Sequence, residues 1–272
     1  MNSSLAILII SCDKYQDVWH PFVQSWFKFW PDCPYKVYLG TNELDYHDSR
    51  IAVLKVGNDV SWSDNVRTMI EQVDEKYILT IVEDFFLART ISSEFIANAL
   101  SLVEKEDIAC FRLQSFTMPR RTRSLRFPGR HDVYRIMPRD EYCVNAGIAI
   151  WRKSTLVTFL KPGYSAWDFE VKNSSQCNAD GRLPGVFVTV DRSQFSIRQG
   201  VIQGKWLPST IRFCRRSGIV LDTSRRKIMS KREVLWQYSK HLGRRILPSQ
   251  LRRAVKKLSF MLGYGSRFAS PY

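Results

Sequence analysis

An acidic pair follows a continuous run of strand-forming residues in the sequence. Tyr77–Val82 is a continuous apolar, β-branched run, which is typical of a strand buried on both faces of a parallel sheet. Glu83 and Asp84 come directly after it, and open α/β sheets bind their ligands beyond the carboxyl ends of the strands. Carboxylate oxygens suit Mg²⁺ or Mn²⁺ that also carries substrate phosphates. The pair therefore indicates such a site, and an ordinary surface turn after a core strand is the alternative.

A second set of polar residues follows another predicted strand. Leu5–Ile10 is wholly apolar and predicts a buried strand that ends at Ser11, Cys12 and Asp13. Polar side chains at the carboxyl end of a strand are candidates for ligand binding in an α/β sheet.

The rest of the chain alternates between predicted strands and helices. Further strands are predicted at residues 35–39, 51–56, 108–113, 145–151, 185–190 and 195–202. Helices are predicted at residues 18–30, from 61, at 92–104, 154–160, from 165, and at 230–242 and 249–262. Ser61 and Asp64 resemble the capping box of the second helix. The initial β-α-β-β-α-β order predicts a mostly parallel sheet with right-handed crossovers.

Composition narrows the class of protein. The 272 residues are 44% hydrophobic and 13% aromatic, which predicts a folded chain. The six cysteines are scattered without a C-x-x-C pair, as in reduced intracellular proteins. No basic segment precedes the first apolar run and no run is long enough to cross a bilayer, so we expect a cytoplasmic protein. The sequence lacks P-loop and dinucleotide glycine motifs, which argues against a kinase, an NTPase or a dehydrogenase.

The excess positive charge lies in the C-terminal tail. The formal net charge is +15, with 41 Lys and Arg against 26 Asp and Glu. From residue 205 onward there are 17 basic and two acidic residues, which leaves 24 of each in the first 204 positions. A neutral body with a basic tail favours an anchor over a nucleic-acid-reading face.

The tail also contains an amphipathic pattern. The apolar side chains of one predicted helix face are Leu251, Val255, Leu258 and Leu262. A basic amphipathic helix of this kind is expected to lie on an anionic membrane surface. Packing of the helices on the domain, or a dimer contact, is the alternative.

Four segments together resemble bacterial GT-A glycosyltransferases of the kind that builds O-antigen or capsular polysaccharides. They are Ile-Ile-Ser-Cys-Asp at 9–13, Val-Glu-Asp-Phe-Phe-Leu at 82–87, Trp-Asp-Phe-Glu at 167–170 and Gln-Gly-Lys-Trp at 203–206. The second segment stands where the family has its Asp-x-Asp motif. The sequence departs from that motif, because it has Glu83-Asp84-Phe85-Phe86 there.

The resemblance implies a fold and an activity. The fold is α/β, a GT-A-like (Rossmann-like), mostly parallel central sheet with helices on both faces, in a catalytic domain at residues 1–206. A basic helical C-terminal extension follows at residues 207–272. The activity is inverting transfer of a sugar from a nucleotide-diphosphate sugar to a glycan acceptor on a polyprenyl diphosphate lipid. Such an enzyme is cytoplasmic and peripheral on the inner face of the cytoplasmic membrane.

The resemblance also implies residues that bind the donor. Asp84 is expected to hold a divalent cation, Mg²⁺ or Mn²⁺, and Glu83 to contact the ribose or the metal. The diphosphate leaving group needs its charge neutralised, which a metal or basic side chains can do. The other residues expected to bind the nucleotide sugar are Ser11, Cys12, Asp13, Asn65 and Lys205.

On the acceptor side, an inverting transferase needs a carboxylate that takes the proton of the acceptor hydroxyl. Asp168 or Glu170 is the candidate, although Asp168 also fits the capping position of its helix. Trp167 offers a ring on which a sugar can pack. Arg120 and Arg121 are expected to contact an anionic part of the acceptor from a basic loop, and a solvated basic loop is the alternative.

A basic protein that binds or modifies nucleic acid is the alternative function that the net charge leaves open. The sequence contains no recognised nucleic-acid motif, and its first 204 residues are neutral. We therefore expect no nucleic-acid partner.

Overall fold

The structure is a computed structural model, which describes residues 4–114, 126–129, 132–190, 192–193 and 195–246. It divides into two compact units, Met1–Arg198 and Gln199–Tyr272. The domain boundary predicted from the sequence is residue 206, several residues after this division.

The first unit contains a mixed sheet of eight strands. Their order across the sheet is β3-β2-β1-β4-β8-β6-β9-β7. The strands are β1 (Leu5–Ile10), β2 (Lys36–Thr41), β3 (Ile51–Lys55), β4 (Tyr77–Val82), β6 (Ile108–Arg112), β7 (Val133–Arg135), β8 (Ala149–Arg152) and β9 (Val186–Val190). Two further short strands, β5 (Phe85–Leu87) and β10 (Ile197–Gln199), pair with each other in a separate sheet. β1, β2, β3 and β4 are mutually parallel. β8 runs antiparallel to both of its neighbours, β4 and β6, and β7 is antiparallel to β9. The sheet is therefore mostly parallel, as the sequence predicted.

Helices connect these strands. They are α1 (Gln16–Phe29), α2 (Trp62–Glu71), α3 (Ser93–Lys105), α4 (Lys153–Phe159) and α5 (Ala166–Asp180), with a single 3₁₀ turn at Asp13–Tyr15. Each of α2, α3 and α5 begins after a serine whose hydroxyl accepts a backbone N–H of the first turn. Such caps satisfy donors that the helix itself leaves unpaired.

Both faces of the central strands are covered. In β1, Ala6, Leu8 and Ile10 belong to a core cluster that includes side chains of α2, α4 and α5. The alternate residues of the same strand are also fully buried, so β1 has no solvent-facing side. On one face Trp151 of β8 packs against Phe169 of α5 at 6.5 Å between ring centroids. This packing fixes α5 against the sheet.

The second unit is smaller. A hairpin of β11 (Val201–Ile202) and β12 (Lys205–Trp206) precedes α6 (Pro208–Arg216) and α7 (Lys231–Ile246). Backbone bonds join Trp206 to Lys227 and Met229, each at 2.9 Å. These bonds explain why the division precedes residue 206: the hairpin is bonded to the segment that follows it. None of the helices in the described ranges is long and apolar enough for a membrane span.

The predicted elements agree closely with the structure where the chain is continuously apolar. Leu5–Ile10 and Tyr77–Val82 are confirmed with the same bounds. The strand predicted at 145–151 is wrong in its first half, because Asn145 bonds through its side chain and β8 begins at Ala149. The strand predicted at 195–202 is divided at Gly200, whose carbonyl accepts the N–H of Leu207. The helix predicted at 249–262 lies outside the described residues.

Candidate functional site

The parallel strands of the first unit end at one edge of the sheet, which we call the carboxyl edge. Glu83 and Asp84 form the turn between β4 and β5 at this edge. Both carboxylates are almost completely buried, with 7% and 5% of their surface exposed. Buried carboxylates require compensating contacts, and each of the two residues makes at least one polar, ionic or ring interaction. The predicted acidic turn is therefore an inward-facing feature of the fold.

Asp13 joins the ends of β1 and β2. Its carboxylate accepts the backbone N–H groups of Asn42 at 2.8 Å, Glu43 at 3.0 Å and Leu44 at 3.2 Å. Its own N–H donates to the side-chain oxygen of Asn42 at 3.0 Å. Ser11 supports the same region, because its hydroxyl accepts the indole N–H of Trp19 at 2.7 Å. Asp13 and Ser11, which were predicted to bind the nucleotide sugar, thus shape the loop at the carboxyl edge through their side chains.

Two polar atoms at the end of β2 have no hydrogen-bond partner among the described residues. They are the hydroxyl of Thr41 and the side-chain amide nitrogen of Asn42, both buried. An unsatisfied buried polar group costs about 1–3 kcal/mol. Such atoms at a strand end are candidates for contact with a ligand. Their polarity at the end of an apolar strand was the signal in the sequence, but only the fold shows that they are buried.

The charges around Cys12 make this part of the edge acidic. Burial raises the pKa of the Cys12 thiol to about 11, and the negative charges of Glu83 and Asp59 add to the rise. Cys12 is therefore a neutral thiol at physiological pH and not a nucleophile. The Lys14 ammonium, at 2.8 Å, and the Asn65 amide, at 2.8 Å, hold the pKa of Asp59 below its usual range. Asn65 thus lies in the same cluster as Cys12, through Asp59.

Glu170 lies under the loop that leads into β8. One carboxylate oxygen, Oε1, accepts the side-chain amide of Asn145 at 2.8 Å and the N–H of Ala146 at 2.9 Å. No hydrogen bond reaches the second oxygen, Oε2, from the described parts of the chain. Burial raises the pKa of Glu170, while the Ala146 N–H and the positive charge of Arg112 offset part of that rise. A carboxylate with one anchored oxygen and a raised pKa can act as a general base.

Arg112 holds the same loop from the other side. It stands at the carboxyl end of β6, and its Nη2 donates to the carbonyl oxygens of Tyr142 and Cys143, both at 2.6 Å. Its Nε is buried without a partner in the described structure. The loop is therefore held by a cation that binds its carbonyls and by a carboxylate that binds its amides. The sequence showed only a charged residue ending an apolar strand.

Asp168 is a helix cap in this structure. It forms a capping box with Ser165 at the start of α5, which confirms the alternative considered from the sequence. Its other oxygen pairs with Lys172 at 2.8 Å. Lys172 and Ser165 hold the pKa of Asp168 at about 2. Both oxygens are engaged and the basicity is low, so Asp168 is poorly suited to accept a proton.

The predicted site residues therefore fall into three groups. Ser11, Cys12, Asp13, Asn65, Glu83 and Asp84 meet at the carboxyl edge, and Trp167 and Glu170 approach the same edge on α5. Lys205 belongs to the second unit, where it pairs with Glu233 and lowers the pKa of that carboxyl to about 2. Arg120 and Arg121 lie outside the described residues. Within the described ranges, no group of three or more His, Cys, Asp or Glu side chains is arranged as a metal site.

Comparison with known proteins gives limited likenesses. No protein-family model and no curated protein matches the chain. Among solved structures, S. aureus TarS 1–349 shares 10% identity over 72% of this chain and 59% of that chain, with a TM-score of 0.46. The complex of the same TarS fragment with UDP-GlcNAc gives 10% identity, coverage of 72% and 57%, and a TM-score of 0.46. A cytidylyltransferase from Leptospira borgpetersenii shares 9% identity over 73% of this chain and 82% of that chain, with a TM-score of 0.42. The chain thus spans about 59% of the TarS fragment. The candidate site is therefore assigned from the contacts within this chain alone.

The opposite pKa shifts of Glu170 and Asp168 predict opposite effects on stability. The folded state holds a proton on Glu170 to a higher pH than the unfolded state does, so this group lowers the unfolding free energy as pH rises above 4.5. Glu170→Gln should therefore gain stability relative to the wild type as pH rises above 4.5. Chemical denaturation across that range measures the difference.

Asp168→Asn is the matched control on the same helix. The lowered pKa of Asp168 means that its stabilisation is fully present above 3.8 and is lost only as pH falls toward about 2. The unfolding free energy of Asp168→Asn relative to the wild type should stay constant over the pH range in which that of Glu170→Gln changes. A Glu170→Gln difference that is flat, or that moves toward lower relative stability as pH rises, would contradict the burial of an ionisable Glu170.

Proposed function

We propose that this chain is a glycosyltransferase that moves a sugar from a nucleotide-diphosphate sugar to a glycan acceptor, with inversion. The observation that supports the proposal most strongly is the placement of two kinds of carboxylate at one edge of one sheet. Glu83 and Asp84 form a buried acidic turn at the end of β4. Glu170 holds the loop that enters the neighbouring antiparallel strand β8. The Glu83–Asp84 pair is suited to binding the sugar donor, and Glu170 is suited to proton transfer.

The donor nucleotide is proposed to bind beyond the ends of β1, β2 and β4. Asn42 and Thr41 offer buried polar atoms that lack partners in the described structure, and these are suited to the polar edge of a base or a ribose. Asn65 donates to Asp59 at 2.8 Å, whose charge acts on Cys12 at the end of β1. Asp13 keeps the loop in the required shape through three backbone N–H groups.

A divalent cation, Mg²⁺ or Mn²⁺, fits the acidic turn. Mg²⁺ is commonly held by one or two carboxylates together with substrate phosphates, and the turn supplies two hard oxygen donors in Glu83 and Asp84. Asp84 is proposed as the protein ligand, with Glu83 beside it on the metal or the ribose. When bound, the cation would neutralise charge that develops on the diphosphate leaving group.

Glu170 is proposed as the base that takes the proton of the acceptor hydroxyl. Its Oε1 is fixed by Asn145 and Ala146, which leaves Oε2 to face the acceptor. The raised pKa brings its basicity closer to physiological pH. Asp168, with a pKa of about 2, instead fixes the start of the helix that carries Glu170.

A nucleotide panel tests the proposed donor. Thermal denaturation is measured with UDP, GDP, CDP, ADP and dTDP, each with Mg²⁺ or Mn²⁺, and with single- and double-stranded oligonucleotides. One nucleoside diphosphate should stabilise the protein selectively, because a ligand of the folded state raises its apparent stability. Stabilisation by oligonucleotides alone would instead favour the nucleic-acid-binding alternative.

Asp84→Asn should weaken that nucleotide binding. Loss of the charged ligand should lower the affinity for the metal–nucleotide complex at least about tenfold, since bonds to charged groups contribute roughly 1.5–3 kcal/mol. Isothermal titration measures the change. Asp74→Asn is the control, because Asp74 is an exposed aspartate that precedes the same strand at its opposite end. Equal affinity in the Asp84→Asn and Asp74→Asn proteins would exclude Asp84 from the donor site.

Glu170→Gln should slow transfer without loss of donor affinity. Removal of a positioned general base lowers the rate by about 10²–10⁴-fold, and the amide keeps an oxygen for Asn145 and Ala146. The release of nucleoside diphosphate is followed with a polyprenyl-diphosphate-linked glycan as acceptor. Asp168→Asn should stay within about tenfold of the wild type. The assignment is lost if Glu170→Gln stays active while Asp168→Asn does not.

The second unit is proposed to attach the enzyme to an anionic membrane surface, where lipid-linked acceptors of surface polysaccharide synthesis are carried. The unit holds all of the excess positive charge. It also exposes large apolar side chains, including Leu235 at 68% and Trp236 at 47% on α7. Basic charge beside exposed Leu and Trp suits anionic lipid.

Vesicle binding tests this attachment. The full chain should co-sediment with vesicles that contain phosphatidylglycerol, and less so as salt is raised, because salt screens the attraction. Leu235→Ala with Trp236→Ala should weaken binding at least about tenfold, since each side chain loses apolar burial worth roughly 1.5–3 kcal/mol. Leu44→Ala with Val60→Ala is the control, as both are exposed apolar residues of the first unit. Equal binding by both double variants, or no binding by the wild type at low salt, would remove the membrane surface as a partner.

A further inference from the structure

Helix α5 and the loop before β8, two elements of the first unit, meet at the carboxyl edge. Helix α5 carries Trp167 and Glu170, which lie three residues apart and therefore on one face of the helix. The loop before β8 carries Tyr142 and, three residues later, Asn145. The rings of Tyr142 and Trp167 lie 6.0 Å apart between centroids, and the Asn145 amide donates to Glu170 at 2.8 Å. A pair of aromatic rings therefore stands next to the carboxylate that the proposed function assigns as base.

Tyr142 adopts a backbone conformation that residues with a side chain rarely take. Its φ is 54°, in the left-handed region where the Cβ is crowded. Arg112 holds it there, because Nη2 donates to the carbonyl oxygen of Tyr142 and to that of Cys143, both at 2.6 Å. Strained residues persist where the surroundings fix them, and they concentrate at binding and catalytic sites. The position of the Tyr142 ring is thus set by its backbone and by a cation from β6.

The geometry of the ring pair suits a sugar. The two planes are inclined at 56°, so the rings are not stacked face to face. Both side chains are partly exposed. Aromatic rings with a polar tip provide an apolar surface beside a hydrogen-bonding group, which matches a pyranose, whose C–H face is apolar and whose rim carries hydroxyls. A pyranose that packs here would present its hydroxyls near Glu170.

We propose that Tyr142 and Trp167 form the surface that binds the pyranose ring of the acceptor, and that Arg112 is the positioning residue that fixes Tyr142. This inference rests on the proposed function, which it deepens by naming a binding residue, Tyr142, and the chemical class of the acceptor end. Trp167 supplies the helix side of the surface and Tyr142 the loop side. Glu170, between the two elements, faces the bound ring.

Saturation-transfer NMR tests the surface with simple probes. The probes are the methyl pyranosides of glucose, galactose, mannose and N-acetylglucosamine, and nucleoside diphosphates with Mg²⁺ are measured in parallel. The wild type should bind at least one methyl pyranoside. Tyr142→Ala and Trp167→Ala should each weaken that binding at least about tenfold, whereas Tyr142→Phe should keep it within about twofold because the ring remains. Trp167→Ala also keeps the test valid if Tyr142→Ala fails to fold, since Trp167 lies in the first turn of α5.

Tyr35→Ala is the matched control. Tyr35 is a partly exposed tyrosine whose ring lies 6.0 Å from that of Trp30, but it precedes β2 and therefore stands at the opposite edge of the sheet. Tyr35→Ala should bind the pyranosides as the wild type does. Arg112→Lys should weaken pyranoside binding while Tyr142 itself is unchanged, because a single ammonium cannot reproduce the planar guanidinium at two carbonyls.

The outcomes separate this proposal from the function on which it rests. Nucleotide binding by the wild type without binding of any pyranoside overturns the sugar surface and leaves the transferase proposal intact. Pyranoside binding that Tyr142→Ala and Trp167→Ala leave unchanged also overturns it. Pyranoside binding that both variants abolish, in a protein that binds no nucleoside diphosphate, supports the sugar surface and defeats the transferase proposal.

Discussion

A single reversed strand determines how the candidate site is assembled. β8 runs against β4 on one side and β6 on the other, so the chain must return to the carboxyl edge before it enters β8. The loop that makes this return therefore lies beside the ends of both neighbours. The register pairs Thr80 with Ala149, and Asn145 and Ala146 line one small pocket together with Ile10 and Thr80. An acidic turn and a glutamate-bound loop thus come together because of strand direction, although they are distant in sequence.

The loop before β8 is kept in place by two partly buried charges. Arg112 donates to its carbonyls, and Glu170 accepts from its amides. A buried ion is tolerated when hydrogen bonds and an opposite charge replace its water. Arg112 also lies close enough to Glu170 to lower the pKa of the Glu170 carboxyl, which opposes the rise that burial causes. Removal of either ion would leave the other with less compensation, so the loop geometry, including the left-handed Tyr142, depends on both.

The sequence predicted the features that local pattern controls. β1 and β4 were found with their bounds because every residue in them is buried or nearly so, and the start of α5 follows from the local Ser165–Asp168 capping box. The three-residue strands β5 and β7 were missed because they are too short to show a period. The roles of Arg112 and Asn42 could not be predicted, since they depend on which distant groups the fold brings within bonding distance. Nothing in a tyrosine indicates a positive φ, which glycine or asparagine more often adopts.

The charge balance of the carboxyl edge bears on how a diphosphate would bind there. Glu83 and Asp59 contribute negative charge around Cys12, and a diphosphate brings more. Lys14 pairs with Asp59, and Arg112 donates to backbone carbonyls. Phosphate oxygens next to such a set of carboxylates would be repelled unless positive charge lay between them. The divalent cation that we propose at the acidic turn would supply such positive charge.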